Sequence, residues 1–376
     1  MEQKASLVRA WRQFGALLAA FAMLAACTPP EPIRLGFVGG ISGRVADLGI
    51  GGRNGALLAV ELRNAAGGVN GRQIELLAED DQQNPEFAQQ AVTRLISRKV
   101  DAIVGPMTSA MAMATVPLVN RAQVLMVSPT ATTPLLAGQD DYFFRVIANT
   151  TEYAQKSAAF HFATQGSRRI AAIFDMRNQS YSQAWLKDYR DAFEAAGGVI
   201  SDSLPFSSGD DTRFSVLTER LLHSQPDGVL IVANSVDTAL LAQQIRKSDP
   251  KIKLYASEWA ATERLLELGG KAIEGMVIAQ FLDRSSQQPS YLAFHKSYVE
   301  RFQQLPGFAG LTGFDAMNVV LDALASRTDG QTLKQAVLAR QEFTGAQAQI
   351  RFDATGDAKR DTFITTIRDG AFVRLR

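Results

Sequence analysis

The chain has 376 residues, enough for two domains or one large α/β domain with a full core, so a small stapled scaffold is excluded. At 46% hydrophobic and 20% charged residues it is not a disordered chain, and Lys+Arg 39 against Asp+Glu 38, a net charge of +1, supplies no field to recruit nucleic acid. One cysteine closes no intramolecular disulfide, and His161, His223 and His295 lie far apart without metal-ligand spacing, which argues against thiol redox chemistry and a histidine-rich metal site.

Residues 1–26 read as an address. Lys4, Arg9 and Arg12 precede an apolar run from Phe14 to Ala26, the pattern of a secretory signal. As a helix the run spans about 20 Å, short of the roughly 30 Å bilayer core, and no later segment is apolar for ~18 residues. An ordinary signal peptide with an incidental cysteine is one reading of this segment. The other follows from Leu24-Ala25-Ala26-Cys27, which resembles the bacterial lipobox. That resemblance implies acylation of Cys27, which becomes the mature N-terminus, and contact with the membrane through an N-terminal lipid rather than a span. Residues 27–32, with Pro29, Pro30 and Pro32, form an extended tether. The absence of Asp after Cys27 favours the outer membrane if the cell is Gram-negative.

From Ile33 the chain alternates short apolar or β-branched runs with longer segments of helical period. Strands are predicted at Ile33–Val38, Gln73–Ala78, Ala102–Val104, Val124–Val127, Ile170–Phe174, Val199–Pro205, Gly228–Val232 and Ile252–Ala256. The intervening helices are Leu48–Ala65, Pro85–Arg98, Ser109–Asn120, Glu152–Thr164, Ser182–Ala196, Arg213–His223 and Ser235–Lys247. Beyond Gln280 the pattern turns helical (Pro289–Gln304, Leu311–Ser326, Leu333–Ala339) and closes with strands Ala346–Phe352, Thr362–Arg368 and Phe372–Leu375. Alternation of this kind implies an α/β fold of helix-wrapped parallel sheets with ligands at the carboxyl ends of the strands.

The loops carry the chemistry. Gly49-Ile50-Gly51-Gly52-Arg53-Asn54-Gly55 invites a dinucleotide reading, but its nearest G-x-G run comes about ten residues after the strand and has Asn54 at the third glycine, and no phosphate-loop motif follows. Cofactors are therefore not expected. Gly105-Pro106-Met107-Thr108-Ser109 and Ser128-Pro129-Thr130-Ala131-Thr132-Thr133-Pro134 each leave a strand end with hydroxyls beside a helix or turn. Unpaired N–H groups and hydroxyls in such a place cradle a carboxylate. A plain N-cap suits Ser109 equally, and a turn residue before Pro134 suits Thr132. A hydrolase using Ser109 or Ser128 lacks a nucleophile elbow and a nearby histidine base.

Several motifs in order then resemble one family. Val60-Glu61-Leu62-Arg63-Asn64-Ala65-Ala66-Gly67-Gly68-Val69-Asn70-Gly71-Arg72, Asp80-Asp81 with Asn84-Pro85, and Gly105-Pro106 through Ser109 to Ser128-Pro129-Thr130-Ala131-Thr132 are similar to the Leu/Ile/Val-binding protein family of ABC-transporter substrate-binding proteins. The similarity runs over roughly residues 33–375. It implies a type I periplasmic-binding-protein fold, with two Rossmann-like lobes joined by three hinge crossovers near Ala148–Thr151, Gln280–Asp283 and Arg360–Phe363. The lobes would be residues 33–150 plus 282–360, and 151–281 plus 361–376.

Carried onto this chain, the resemblance makes Ser109 and Thr132 the hydroxyls holding a ligand carboxylate, with Thr130 contributing backbone. Glu258 becomes the acid pairing an α-ammonium, and Tyr181 the aromatic closing from the opposite lobe. A solvated loop glutamate and a helix-start aromatic are the bland alternatives for these last two. Leu48 stands where the family often has an aromatic residue, and Asn234 where the branched-chain binders have tyrosine, so the side-chain pocket departs from the pattern. Trp259 suits either that pocket or packing beneath Glu258. The function implied is non-enzymatic: a lipid-anchored, extracytoplasmic binding protein in the bacterial envelope that presents an amino acid or related small molecule to an ABC permease. The competing reading is an envelope regulatory lipoprotein that uses the fold to bind a protein partner.

Overall fold

The computed structural model describes residues 30–375, so the leader, Cys27 and the first part of the tether lie outside the described residues. β1 (Ile33–Gly39) is almost entirely buried, as its apolar composition requires of a central parallel strand. It pairs with β2 (Ile74–Asp80) on one side and β3 (Ala102–Val104) on the other, and β4 (Leu125–Ser128) and β5 (Phe143–Arg145) complete a parallel sheet in the order β2-β1-β3-β4-β5. Helices α1 (Ala46–Ala65), α2 (Pro85–Ser97) and α3 (Ser109–Ala122) make the crossovers.

Helix α4 (Thr150–Ala163) carries the chain to a second sheet built from β6 (Arg169–Asp175), β7 (Val199–Phe206), β8 (Gly228–Val232), β9 (Lys253–Ala256) and β10 (Val277–Gln280). Its connecting helices are α5 (Gln179–Ala195), α6 (Phe214–His223), α7 (Ser235–Ser248) and the short α8 (Glu263–Gly269). The chain then returns to the first sheet's layer with α9 (Pro289–Phe302), α10 (Phe308–Ser326), α11 (Leu333–Arg340) and a hairpin, β11 (Glu342–Thr344) with β12 (Gln349–Arg351). Finally β13 (Phe363–Arg368) and β14 (Ala371–Arg374) add antiparallel to the second sheet, giving β14-β13-β10-β9-β8-β6-β7. The strand order reverses between β1 and β3 in one lobe and between β6 and β8 in the other, the places where open α/β sheets leave a crevice.

Arg360, on the segment between β12 and β13, meets the segments that follow β5 and β10. Its Nε donates 2.7 Å to the Val146 carbonyl, its guanidinium lies 5.3 Å from the Phe281 ring centroid, and it pairs with buried Asp315. Thr362, two residues on, is tied to the first turn of α4 by Glu152, whose Oε1 accepts its hydroxyl at 2.7 Å.

The glycine-rich stretch of α1 serves packing. A Cβ on Gly55 would stand 2.0 Å from the Gly310 carbonyl oxygen, and one on Gly313 2.2 Å from that of Gly52, so α1 and α10 touch backbone to backbone. Among the described residues α10 alone has the length and mean hydropathy of a membrane span, and 78% of it is buried inside the protein. Four elements were not anticipated: β5, β10, β11 and α8, of three, four, three and seven residues, are too short to display a period.

Candidate functional site

The loops that leave the strand ends of both lobes meet around one narrow, partly open cavity. From the first lobe come Leu48 on α1, Met107, Thr108 and Ser109 after β3, Thr130 and Thr132 after β4, and Ile147 after β5; Phe308 opens α10. From the second come Asn178 and Tyr181 after β6, and Glu258 and Trp259 after β9. Thus Leu48, Ser109, Thr130, Thr132, Tyr181 and Glu258, far apart in the chain, share one space.

One end of the cavity is a hydroxyl cluster at a helix N-terminus. Thr108 is the N-cap residue of α3, yet its side chain makes no capping bond and its Oγ1 is unpartnered. Ser109, one position later than a cap, accepts the backbone N–H of Thr132 at 3.2 Å and of Thr133 at 3.1 Å. With its oxygen so used, the Ser109 hydroxyl proton is the group left to donate. Thr130 Oγ1 donates 2.5 Å to the Met107 carbonyl and ties the two loops together. Thr132 Oγ1 is buried without a partner. The α3 N–H at Ala110 is already taken: it donates across the cleft to Asn178 Oδ1 at 2.9 Å. Arg145, buried beneath, donates 2.7 Å to the Thr133 carbonyl and 2.6 Å to Asp357, which fixes the loop from behind.

The other end is acidic. Glu258 is 6% exposed; its Oε2 accepts the Trp185 indole N–H at 2.8 Å, while Oε1 has no partner. Burial raises its pKa to about 7, partly offset by the N–H of its own backbone and by Trp185 and Tyr181. The Tyr181 hydroxyl lies beside Ser257 and Glu258 without a well-aligned bond to either, and its ring stands edge-on to Trp259 at 5.5 Å between centroids. Leu48, Met107, Ile147, Trp259 and Phe308 supply the apolar lining.

Asn234 lies off this lining. It caps α7, accepting the Asp237 N–H at 3.0 Å, and donates 2.7 Å to the Asp237 carboxylate. Thr108, Asn178 and Trp185 were not singled out. The two-residue Thr108-Ser109 pair signalled a cap without saying which residue takes it, and the partners of Asn178 and Trp185 are 68 and 73 residues away in sequence. Among the described residues no group of three His, Cys, Asp or Glu side chains is placed to hold a metal.

A chain with this double lobe, and with unpartnered polar groups converging on a cavity between the lobes, is built to enclose a small polar solute. Residues 32–371 match the family described as periplasmic binding protein, and the chain belongs to that family, whose members are solute-binding proteins and not enzymes. The leucine-, isoleucine-, valine-, threonine- and alanine-binding protein of Pseudomonas aeruginosa is 25% identical over 336 residues, covering 89% of each chain. A Leu/Ile/Val-binding protein of Rhizobium johnstonii is 25% identical over 341 residues, 88% of this chain and 90% of its own. A leucine binding protein from Thermotoga maritima superposes with a TM-score of 0.83 at 25% identity, over 92% of this chain and 98% of that one.

Proposed function

We propose that this protein is a lipid-anchored, extracytoplasmic receptor that closes its two lobes over a free amino acid with an apolar side chain and presents it to an ABC permease. The observation that carries the reading is the pairing of opposite chemistries across one cavity. Ser109, Thr108 and Thr132 offer hydroxyl donors at the start of α3, and Glu258 offers an unpartnered carboxylate oxygen. A zwitterion satisfies both ends: its carboxylate meets the donors, and its ammonium meets Glu258 with charge and lone pairs. Leu48, Met107, Ile147, Trp259 and Phe308 receive the side chain. The names of the relatives from P. aeruginosa and R. johnstonii point to the same solute class. The hinges fall at Ala148–Thr151, Gln280–Asp283 and Arg360–Phe363, and Leu24-Ala25-Ala26-Cys27 supports the anchor.

A thermal-shift screen of the amino acids, followed by calorimetry with the best of them on wild type and Glu258→Gln, tests this. Removing one member of a desolvated charge pair costs roughly 2–5 kcal/mol, about thirtyfold to several thousandfold in affinity. Affinity of the variant within a factor of two of wild type would remove the ammonium role and favour an organic acid as solute.

A further inference from the structure

Away from the cavity the lobes also meet through five polar side chains and one exposed acid. Arg44, on the 3-10 turn Gly43–Val45 before α1, sends Nη1 2.8 Å to Oδ1 of Asp237 and Nη2 3.2 Å to Asp210. Asp47, in the first turn of α1, accepts two hydroxyls on one oxygen, Ser235 at 2.6 Å and Thr262 at 2.6 Å. The donors and acceptors alternate across the gap: a cation and an anion of the first lobe face an anion and two hydroxyls of the second.

Three features separate this set from incidental surface pairing. The Arg44 side chain is 19% exposed and that of Asp237 0%, so their charges meet with little water between them, whereas Asp210 is fully exposed and adds little. Asp237 is positioned from its own lobe, since Asn234 Nδ2 donates 2.7 Å to its Oδ2 and leaves Oδ1 for Arg44. Thr262 is the N-cap residue of α8 but caps nothing there; its hydroxyl crosses to Asp47 instead. In an open form Thr262 can turn back to its own helix N-terminus, so the hydroxyl arm exchanges one bond for another. Closing therefore gains most from the Arg44–Asp237 arm. Asp47 also sits where the N-termini of α1, α7 and α8 converge, and its charge offsets three like-signed helix ends.

Resting on the solute-binding reading above, we propose that Arg44 and Asp47 form an interlobe clasp that sets the population of the closed form, and through it solute affinity, without touching the solute. A binding-competent form populated to a smaller fraction weakens apparent affinity by that same fraction, whichever solute is bound. The clasp thus acts on all solutes alike, and a cavity residue does not.

The test uses Arg44→Gln and Asp47→Asn in the full-length protein, with L-leucine and L-valine as probes and calorimetry and stopped-flow as readouts. Arg44→Gln should weaken both solutes about ten- to a hundredfold, chiefly through faster release, and keep the ratio of their affinities within a factor of two of wild type. Asp47→Asn, which keeps a hydroxyl acceptor, should weaken them less. Equal affinity in Arg44→Gln and wild type, or a changed leucine-to-valine ratio, overturns the clasp. A second arm needs no solute: spin labels at exposed Gln90 and Glu219, one on each lobe, report the interlobe distance at about 20 mM and about 500 mM salt. The closed population should shrink with salt in wild type and be absent in Arg44→Gln. If no amino acid binds, a salt- and Arg44-dependent distance keeps the clasp while the solute assignment falls; identical distance distributions overturn the clasp.

Discussion

Glu258→Gln should act in opposite directions on stability and on binding, and the stability effect should depend on pH. In the folded protein burial moves the Glu258 carboxyl from 4.5 to about 7. The folded state therefore holds a proton that the unfolded state has released, and stability falls as pH rises from about 4.5 through about 7. At 1.36 kcal/mol per decade the ionised carboxylate destabilises the solute-free protein by about 3 kcal/mol above that window. Glutamine keeps the shape, cannot ionise, and can still accept the Trp185 N–H. The variant should then match wild type at pH 5 and be more stable at pH 8, by about 4 °C in melting temperature for an entropy of ~2.1 cal/mol/K per residue. Asp81 and Asp175, raised to about 7 and about 6 by their own burial, give both proteins the same background slope, so only the difference between proteins counts. Thermal denaturation of the solute-free proteins at pH 5, 6, 7 and 8 measures it. A melting-temperature difference that stays constant across these pH values would refute the reasoning, because it would mean that Glu258 ionises in the folded state as freely as in the unfolded one.

The remaining expectations concern single contacts. Ser109→Ala should weaken amino-acid binding by roughly 1.5–3 kcal/mol in calorimetry, less than Glu258→Gln, since other donors remain in the cradle. Gly313→Ala should lower the denaturation midpoint by the equivalent of roughly 1–3 kcal/mol, because its methyl meets the Gly52 carbonyl at 2.2 Å and one of the two helices must move. Arg360→Met should destabilise by roughly 3–5 kcal/mol in urea titration by leaving Asp315 buried without its cation. Cys27→Ser should move the protein from the detergent phase to buffer and abolish the lipid mass increment on residue 27; wild type that already partitions into buffer removes the anchor.

The chain order of the loops carried most of the site, and the reason is geometric. In a helix-wrapped parallel sheet every strand delivers its carboxyl end to the same edge, so Ser109, Thr130, Thr132, Tyr181 and Glu258, each a few residues beyond a strand, are brought to one crevice by topology. Asn234 obeys the same topology and still misses the cavity, because asparagine at a helix start has a local use: it caps α7 and steers Asp237. Position along the chain places a residue at the edge of the sheet, and side-chain chemistry decides whether it turns inward to its own helix or outward to the crevice.

The glycines of α1 make the same point from the packing side. Their local pattern fails as a dinucleotide fingerprint and fits a helix, but does not say what the glycines are for. What settles their role is α10, roughly 250 residues away, whose own Gly310 and Gly313 accept the close approach. Small residues on one helix are interpretable only with the helix that meets them. The physical cause is steric: the carbonyls of Gly52 and Gly310 occupy the space that side chains at positions 313 and 55 would need, so the requirement for glycine lies between two segments and in neither alone.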